Sequence, residues 1–446
     1  MPSEFIRKLS WVLLAGRWER GELENRGRLA LRRATCPMWM VQLANRLIVT
    51  FGDNVTVPQR RQLELFLSWD APLQKRIRTW DRNGSFPKLV VPPQRMAPAA
   101  DRFIESRLPE LTTTSSLAAW LSISPSELDW FADQRRWERR QVNEAARHYR
   151  YLWIPKSGGM CRLLESPKPR LKAMQREILD CILAKVPVHD AAHGFCRGRS
   201  VRTYLEPHVG RDIVFSVDLR QFFPSVRVSQ INAIFRTVGY PEEVARMLTG
   251  LCTNSTPENV LHSKRVPDAG VENSRMLRRY RDVHLPQGTP TSPMLANLAA
   301  FRLDRRLTGL ASKFGASYTR YADDLTFSGD SDFRCALERF KILVYAIVID
   351  QGFEIRHRKT RVMTQGQRQL VTGLVLNNRL NVPRNSFDVL KATLHNCVRF
   401  GPSSQNREAI DNFSEHLAGR ISWVDSVSPA RGAKLKALFN EIDWSR

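Results

Sequence analysis

Residues 318–328 read Tyr-Thr-Arg-Tyr-Ala-Asp-Asp-Leu-Thr-Phe-Ser, so two adjacent carboxylates, Asp323 and Asp324, lie between short runs of β-branched and aromatic residues. This pattern predicts a β-hairpin with both acids near its turn. Such acids are poorly suited to a core but well suited to hold a hard divalent cation, which prefers oxygen ligands. An Asp-Asp pair alone is more often a solvated turn, so the interpretation depends on the rest of the chain.

A third carboxylate, Asp218, follows the apolar, β-prone stretch 213–217, which predicts a buried strand that ends at the acid. Two strands that end in aspartate can bring three carboxylates together although they are far apart in sequence. Two-metal catalysis of phosphoryl transfer needs such a cluster. Taken alone, Asp218 is equally compatible with an acid that caps the turn after its strand.

Between these segments, residues 284–293 read His-Leu-Pro-Gln-Gly-Thr-Pro-Thr-Ser-Pro and precede an apolar stretch. The pattern predicts a loop that leads into a helix, with Ser292 as the N-cap and Pro293 at the first helical position. Gly288 allows the backbone of this loop to approach a nucleotide or nucleic-acid strand closely.

The strand ending in Asp218, the Gln287-Gly288-x-x-x-Ser292-Pro293 loop and the sequence 321–324 resemble, in this order, the motifs of reverse transcriptases. The resemblance is closest to the bacterial retron reverse transcriptases and covers roughly residues 110–446. One departure concerns Tyr204-Leu205, which replaces the Asn-Ala of the retron pattern, although His208 is retained. Further similarity is carried by residues 151–156, 162–168, 192–195, 198–200 and 371–373.

The resemblance implies an α+β right-hand polymerase, with fingers, a palm built on a ferredoxin-like antiparallel sheet, and a helical thumb. We expect the fingers and palm in residues 101–384 and the thumb, which binds the duplex and RNA, in residues 385–446. The preceding residues 1–100 form a mostly helical extension of unknown role in this interpretation. Prolines and small residues in 90–100 predict a linker between the two parts.

For catalysis, the resemblance implies that Asp218, Asp323, Asp324 and the backbone carbonyl of Leu219 bind two Mg²⁺ ions, with Mn²⁺ as a substitute. Lys359 matches the palm lysine that protonates the leaving pyrophosphate. Because Lys359 lies in a strongly basic stretch, a phosphate-facing strand explains it equally well.

For nucleotide binding, the resemblance assigns Lys156 and Arg162 to the triphosphate, and Gln287 and Gly288 to the template and incoming base pair. Phe223 matches the residue that closes on the 2′ side of the sugar and favours deoxynucleotides. Ordinary core packing is the alternative role for this ring. RNA binding is assigned to His208, Val371, Thr372, Gly373, His395 and Arg399.

The composition favours a polyanionic partner, because the 446 residues include 69 Lys and Arg against 44 Asp and Glu, a formal charge of +25. No apolar run approaches the roughly 20 residues that a membrane span needs. The seven cysteines are scattered without a Cys-x-x-Cys pair, which disfavours a structural zinc site and fits a reduced, cytoplasmic setting.

The resemblance implies an RNA-directed DNA polymerase of a retron, which starts from a 2′-hydroxyl in a structured non-coding RNA and makes branched, RNA-linked multicopy single-stranded DNA. Its partners would be that RNA, the DNA product, dNTPs and a separately encoded effector of antiphage defence, with no membrane. The missing Asn-Ala favours an alternative, a reverse transcriptase of an abortive-infection, diversity-generating or group II-like lineage. A second alternative, an RNA-binding protein that has lost catalysis, is disfavoured by the intact carboxylates.

Overall fold

The hairpin predicted around Asp323 and Asp324 is present in the computed structural model, in which Ser317–Tyr321 and Asp324–Gly329 pair as antiparallel strands. The structure describes residues 2–52, 58, 60–91, 95–98, 107–155, 161–263 and 271–444. The chain forms two compact units, Met1–Val188 with Gln221–Ala299 and His189–Arg220 with Ala300–Arg446. Each unit is therefore assembled from two separate stretches of the chain.

In chain order the α-helices are α1 (Pro2–Leu14), α2 (Arg20–Ala30), α3 (Met38–Phe51), α4 (Arg60–Trp69), α5 (Ala71–Arg82), α6 (Thr114–Trp120), α7 (Pro125–Ala132), α8 (Pro169–Cys181), α9 (Val201–Leu205), α10 (Phe222–Ser225), α11 (Val228–Val238), α12 (Glu242–Cys252), α13 (Glu258–Leu261), α14 (Val271–Arg281), α15 (Ser292–Ala299), α16 (Phe301–Lys313), α17 (Ser331–Asp350), α18 (Arg384–Phe400), α19 (Phe413–Val427) and α20 (Pro429–Asn440). The strands are β1 (Tyr149–Pro155), β2 (Cys161–Pro167), β3 (Ile213–Arg220), β4 (Ser317–Tyr321), β5 (Asp324–Gly329), β6 (Glu354–Ile355), β7 (Arg361–Thr364), β8 (Leu370–Val371) and β9 (Leu374–Val375).

The first unit begins with five helices, α1 to α5, that share one hydrophobic core. Apolar residues four apart, such as Leu9 and Leu13 in α1 and Leu43 and Leu47 in α3, are fully buried there. This spacing places them on one face of each helix. The predicted helical character of the N-terminal region is confirmed. The boundary predicted at residue 100 lies outside the described residues, and it stays a prediction together with the one at residue 384.

Later in the first unit, β1 and β2 form an antiparallel ladder that extends from Tyr149 opposite Pro167 to Pro155 opposite Cys161. The loop before α15 lies against β2, because the Glu165 N–H donates a 2.7 Å hydrogen bond to the Gln287 carbonyl. Helix α15 starts at Ser292 itself, one residue earlier than the predicted first helical position, Pro293.

The second unit is built around an antiparallel sheet in the order β4-β5-β3-β6, with β7 also paired to β3. Strand β3 is central and almost entirely buried. It continues two residues beyond Asp218, contrary to the prediction that it ends there, because Leu219 and Arg220 pair with Ile355 and Glu354 of β6. Phe215, Phe327 and Phe340 pack their rings together between the sheet and α17.

The C-terminal helices α18 to α20 belong to a core that also includes residues of β8, β9 and α9. The α+β class with a helical N-terminal region is confirmed. No helix among the described residues has the length and apolar character needed to cross a membrane.

Candidate active site

The carboxylates of Asp218 and Asp324 are brought together by the pairing of β3 with β5, in which these two residues are direct partners. Side chains of directly opposed residues project to the same face of a sheet. Asp323 occupies the turn before β5, and its carbonyl accepts a 2.8 Å hydrogen bond from the Leu219 N–H. The two strands therefore place the backbones of the three acids next to each other.

The turn between β4 and β5 packs tightly against the segment that contains Gly194. Ala322 adopts a left-handed backbone conformation with φ of 54°, which is uncommon for a residue with a side chain. A Cβ atom added to Gly194 would lie 2.7 Å from the Ala322 nitrogen. Only glycine can therefore let this segment approach the turn so closely, and the neighbouring His193 N–H donates to the Arg320 carbonyl at 2.8 Å.

Behind the hairpin lies a buried ion pair that the sequence analysis missed. Arg320 and Asp304 have fully buried side chains and form two hydrogen bonds, of 2.8 and 2.7 Å. The guanidinium also donates to the Ala322 carbonyl at 3.0 Å, and the Tyr318 hydroxyl donates to Asp304 at 2.8 Å. Arg320 thus connects the sheet core to the backbone of the carboxylate turn. No local pattern signals this burial, because Arg320 lies between Thr319 and Tyr321, and Asp304 is followed by two arginines.

Tyr204 and His208 support the same hairpin from α9 and the turn after it. The Tyr204 hydroxyl lies 2.5 Å from Thr326 Oγ1, and Leu205 joins the same buried core. The residues that replace Asn-Ala in this chain therefore have a packing role.

His208 is fully buried, and its ring nitrogens hydrogen-bond the Ser328 and Thr319 hydroxyls, both at 2.7 Å. Burial lowers the pKa of His208 to about 3, so the ring is neutral. A contact between this side chain and RNA would require His208 to leave its hydrogen bonds.

Two cations face the carboxylates within the second unit. Lys359 Nζ lies 2.8 Å from Asp218 Oδ2, and Arg356 Nη1 lies 3.8 Å from Asp218 Oδ1. Lys359 is 55% exposed, so its ammonium group can also reach molecules in solution. Asp218 Oδ1 is buried without a hydrogen-bond partner, an arrangement that costs free energy unless a cation or donor compensates it.

Burial raises the pKa of Asp324 to about 7, and the negative charges of Asp323 and Asp218 add to this rise, while Lys359 opposes it. Asp324 therefore exchanges between its protonated and ionised forms near neutral pH when no metal is bound. A bound cation would counter the rise in the pKa of Asp324. It would also provide a partner for the buried Oδ1 atom of Asp218. The donor set consequently fits a hard divalent metal ion.

The full ligand set is not assembled in this arrangement. Among the residues that the structure describes, no group of three or more His, Cys, Asp or Glu side chains is gathered closely enough to hold a metal ion. One Asp218 oxygen instead binds Lys359. A metal ion at this site would compete with that ammonium group.

The predicted nucleotide-binding residues lie in the first unit, except for Lys156, which is outside the described residues. Arg162 is exposed on β2, opposite Ile154. Gly288 has φ of 115°, and a Cβ atom there would lie 2.8 Å from Leu164 Cδ1. The glycine thus allows the loop to lie directly on β2, which keeps Gln287 and Gly288 next to the strand that carries Arg162.

A second buried ion pair lies beneath this loop. Glu165 and His284 are almost completely buried, and their Oε2 and Nε2 atoms are 2.8 Å apart. Nδ1 of His284 lies 2.8 Å from the Asp282 carbonyl, so both ring nitrogens face oxygen atoms, an arrangement that favours the doubly protonated ring. Burial opposes this charge, but Glu165 outweighs it and raises the pKa of His284.

Phe223 lies in the short helix α10, where its ring is half-buried and forms an edge contact with Phe222 at a centroid distance of 5.6 Å. Gln221, just before this helix, has a left-handed backbone with φ of 49°. The chain therefore turns sharply between Asp218 and Phe223.

The remaining predicted residues lie in the C-terminal part of the second unit. Val371 is buried in the core, whereas Thr372 and Gly373 form the turn between β8 and β9 with φ of 45° and 81°. His395 and Arg399 are exposed and four residues apart on α18, so they occupy the same face of that helix. Gly373 and this helix face are thus exposed to solvent, whereas Val371 and the hydroxyl oxygen of Thr372 are buried.

Comparison with known proteins agrees with this arrangement. The family model described as reverse transcriptase (RNA-dependent DNA polymerase) matches residues 154–393. The chain is 39% identical to the retron Mx65 reverse transcriptase of Myxococcus xanthus over 335 residues, which covers 74% of this chain and 71% of that protein. It is 36% identical to the retron Mx162 reverse transcriptase of the same organism over 356 residues, 75% of this chain and 68% of that protein.

The chain belongs to the retron reverse transcriptases. It is accordingly an RNA-directed DNA polymerase, and its family depends on divalent metal ions. A solved foamy viral protease-reverse transcriptase bound to double-stranded DNA is also similar, with 14% identity, a TM-score of 0.29 and coverage of 68% of this chain and 44% of that chain.

In this reverse transcriptase, the crowding of carboxylates leads to a pH-dependent prediction for the metal-free protein. The raised pKa of Asp324 means that its protonated form stabilises the fold below pH 4, and that this contribution is lost as the pH rises through about 7. In EDTA at pH 8, we therefore expect Asp324→Asn to be more stable than the unmodified protein, by about 4 kcal/mol at most. The difference should disappear towards pH 4.

Urea denaturation at several pH values measures this difference. Asp332→Asn, at an exposed aspartate in the first turn of α17, is the matched control and should show no such dependence. Equal or lower stability of Asp324→Asn at pH 8 would contradict the proposed repulsion among the carboxylates.

Proposed function

We propose that this reverse transcriptase copies a structured non-coding RNA of its retron into branched, RNA-linked multicopy single-stranded DNA. The proposal rests on the pairing of β3 with β5, which places Asp218 directly opposite Asp324. The chain is also 36–39% identical to named retron enzymes. The partners are the RNA template, its DNA product and dNTPs. A role in antiphage defence, together with a separately encoded effector, belongs to the same proposal.

In this proposal Asp218, Asp323, Asp324 and the Leu219 carbonyl would hold two Mg²⁺ ions. When bound, these ions supply the Lewis acidity that activates the attacking hydroxyl and neutralises the triphosphate. Synthesis begins when a 2′-hydroxyl oxygen of the RNA attacks the α-phosphorus of a dNTP, so that a phosphodiester bond forms, the bond to pyrophosphate breaks and the hydroxyl proton passes to solvent. Lys359, whose ammonium group already lies beside Asp218, donates a proton to the departing pyrophosphate.

Substrate positioning is assigned to the first unit. Arg162 and Lys156 bind the triphosphate, and Gln287 and Gly288 line the template and incoming base pair. The buried Glu165–His284 pair keeps the Gln287 loop seated on β2. On the second unit, Thr372, Gly373, His395 and Arg399 contact RNA directly, whereas the buried Val371 and His208 act by supporting their surroundings.

Phe223 sets the choice between deoxynucleotides and ribonucleotides in this proposal. We expect Phe223→Ala to raise the kcat/KM for a ribonucleotide relative to its deoxynucleotide by about tenfold or more, because the ring no longer excludes the 2′-hydroxyl. Single-nucleotide incorporation with each substrate measures the ratio. Phe400→Ala, at a 64% exposed ring of α18, is the control, and an unchanged ratio in Phe223→Ala would remove this role.

The product itself tests the proposed function. The protein would be purified from cells that carry its native operon, and the accompanying nucleic acid would be treated with RNase, DNase or debranching enzyme. We expect a discrete single-stranded DNA that shortens with RNase or debranching enzyme and is absent from an Asp323→Ala/Asp324→Ala variant. RNA without attached DNA in both samples would contradict the branched product.

A further inference from the structure

A groove in the first unit, separate from every residue assigned above to the polymerase site, is lined by four arginines. Arg135, Arg136, Arg139 and Arg140 lie beside Glu258, and the groove has a volume of about 690 Å³. All of these residues belong to the segment after α7 or to α13. The groove therefore concentrates positive charge at one place on the unit.

The backbone that carries these arginines is held by two carboxylates, Asp133 before the first arginine and Glu138 between Arg136 and Arg139. Asp133 accepts hydrogen bonds from the N–H groups of Trp137 at 2.6 Å and Glu138 at 3.0 Å. Glu138 is 2% exposed and accepts from the His148 N–H and the Tyr151 hydroxyl at 2.7 and 2.8 Å. The loop is thus a preformed surface, and binding there does not need to order it.

Most of the charge in this groove is not compensated by the protein. Arg139 lies 2.7 Å from Glu258, which also lies 3.3 Å from Arg281. Arg135, Arg136 and Arg140 are exposed, and no carboxylate within the described residues forms an ion pair with them. Neighbouring guanidinium groups of one sign repel each other and attract a ligand with several negative charges.

The same loop presents an aromatic surface. Trp137 is 58% exposed although it lies between Arg136 and Glu138 in sequence, and Val142, which lines the groove, is 74% exposed. Trp137 does not line the groove itself but directly follows Arg136 in the same loop. Arginines together with an exposed indole can bind the phosphates and unstacked bases of a single strand. A duplex would offer the phosphates but no free base face to the indole.

We infer that this groove binds a single-stranded segment of nucleic acid, with phosphates on Arg135, Arg136 and Arg140 and a base stacked on Trp137. The bound strand is either the RNA or its DNA product. It requires only that the enzyme handles nucleic acid, and it is independent of the branched product.

The test compares two triple variants of the full-length protein, after bound nucleic acid has been removed at high salt. Arg135→Gln/Arg136→Gln/Arg140→Gln removes the groove charges. Arg305→Gln/Arg334→Gln/Arg339→Gln removes three exposed arginines of α16 and α17, so that the net charge is the same. Fluorescence anisotropy would measure affinity for labelled ten-residue oligouridine and oligothymidine between 50 and 200 mM salt.

We expect the groove variant to bind at least tenfold more weakly than the control variant at 50 mM salt, and its slope of log affinity against log salt to be lower by about 2, since single strands contribute about 0.7 per phosphate. Trp137→Leu should weaken binding by roughly tenfold at an unchanged slope. A loss confined to oligouridine would identify RNA as the ligand, and a loss confined to oligothymidine would identify DNA.

Photocrosslinking with a thiouridine or thiothymidine probe then locates the contact in the unmodified protein. Attachment to the peptide that contains Trp137 supports the site. Affinities of the two triple variants within twofold of each other, with equal slopes, would overturn it.

Discussion

Replacing Asp323 by asparagine is expected to reduce DNA synthesis by about 10³-fold or more. The substitution keeps the size of the side chain and removes one negative charge from the turn between β4 and β5. The remaining acids, Asp218 and Asp324, stay opposed in the sheet, but the site would attract divalent cations less strongly. Single-turnover incorporation of one dNTP on a primed RNA template measures the loss.

A matched control separates this effect from misfolding and from charge in general. Asp332→Asn makes the same chemical change at an exposed position nine residues further along, and it should retain full activity. Asp323→Asn should bind the RNA at least as tightly as the unmodified enzyme, because a negative charge has been removed near the phosphates. Near-normal synthesis by Asp323→Asn would show that the catalytic metal is held elsewhere.

The second large effect is expected from Asp304→Asn, which leaves the buried guanidinium of Arg320 without its counter-charge. Burial alone would lower the pKa of Arg320, but Asp304 reverses this and keeps the pKa above its ordinary value. Without that carboxylate, the free energy of unfolding should fall by about 3–5 kcal/mol. Activity should fall as well, because Arg320 also donates to the Ala322 carbonyl in the carboxylate turn.

Helix α16 offers an internal comparison for this prediction. Arg306, two residues after Asp304, forms an ion pair with Asp350 on the surface. Asp350→Asn makes the same chemical change in an arginine–aspartate pair, but solvent screens that pair, so we expect little change in the urea midpoint. Similar midpoints for Asp304→Asn and Asp350→Asn would contradict a stabilising role for the buried pair.

The hairpin, the buried strand before Asp218 and the helical N-terminal region could be predicted from the sequence because each depends on local periodicity. Alternating and continuous apolar runs identify strands, and residues such as Leu9 and Leu13 identify a helix face. The end of β3 could not be predicted in this way. Its last two residues are held by β6, more than one hundred residues later.

The polar supports of the site were missed for a related reason. Arg320 with Asp304, and Glu165 with His284, become partners only when the fold brings distant elements together. Each is an ordinary charged or titratable residue in the sequence, and its immediate neighbours do not distinguish it from a solvated one. The departure at Tyr204 is similar, because its packing against Thr326 explains a residue that the family pattern alone does not.

The pairing of Asp218 with Asp324 also has a consequence for how the chain reaches its native state. A slip of one residue between β3 and β5 would send the two carboxylates to opposite faces of the sheet. A divalent ion that needs both acids would then bind only the correctly aligned ladder and would favour it by mass action. In such an enzyme the metal ion would also assist folding, because it would stabilise only the strand alignment that supports DNA synthesis.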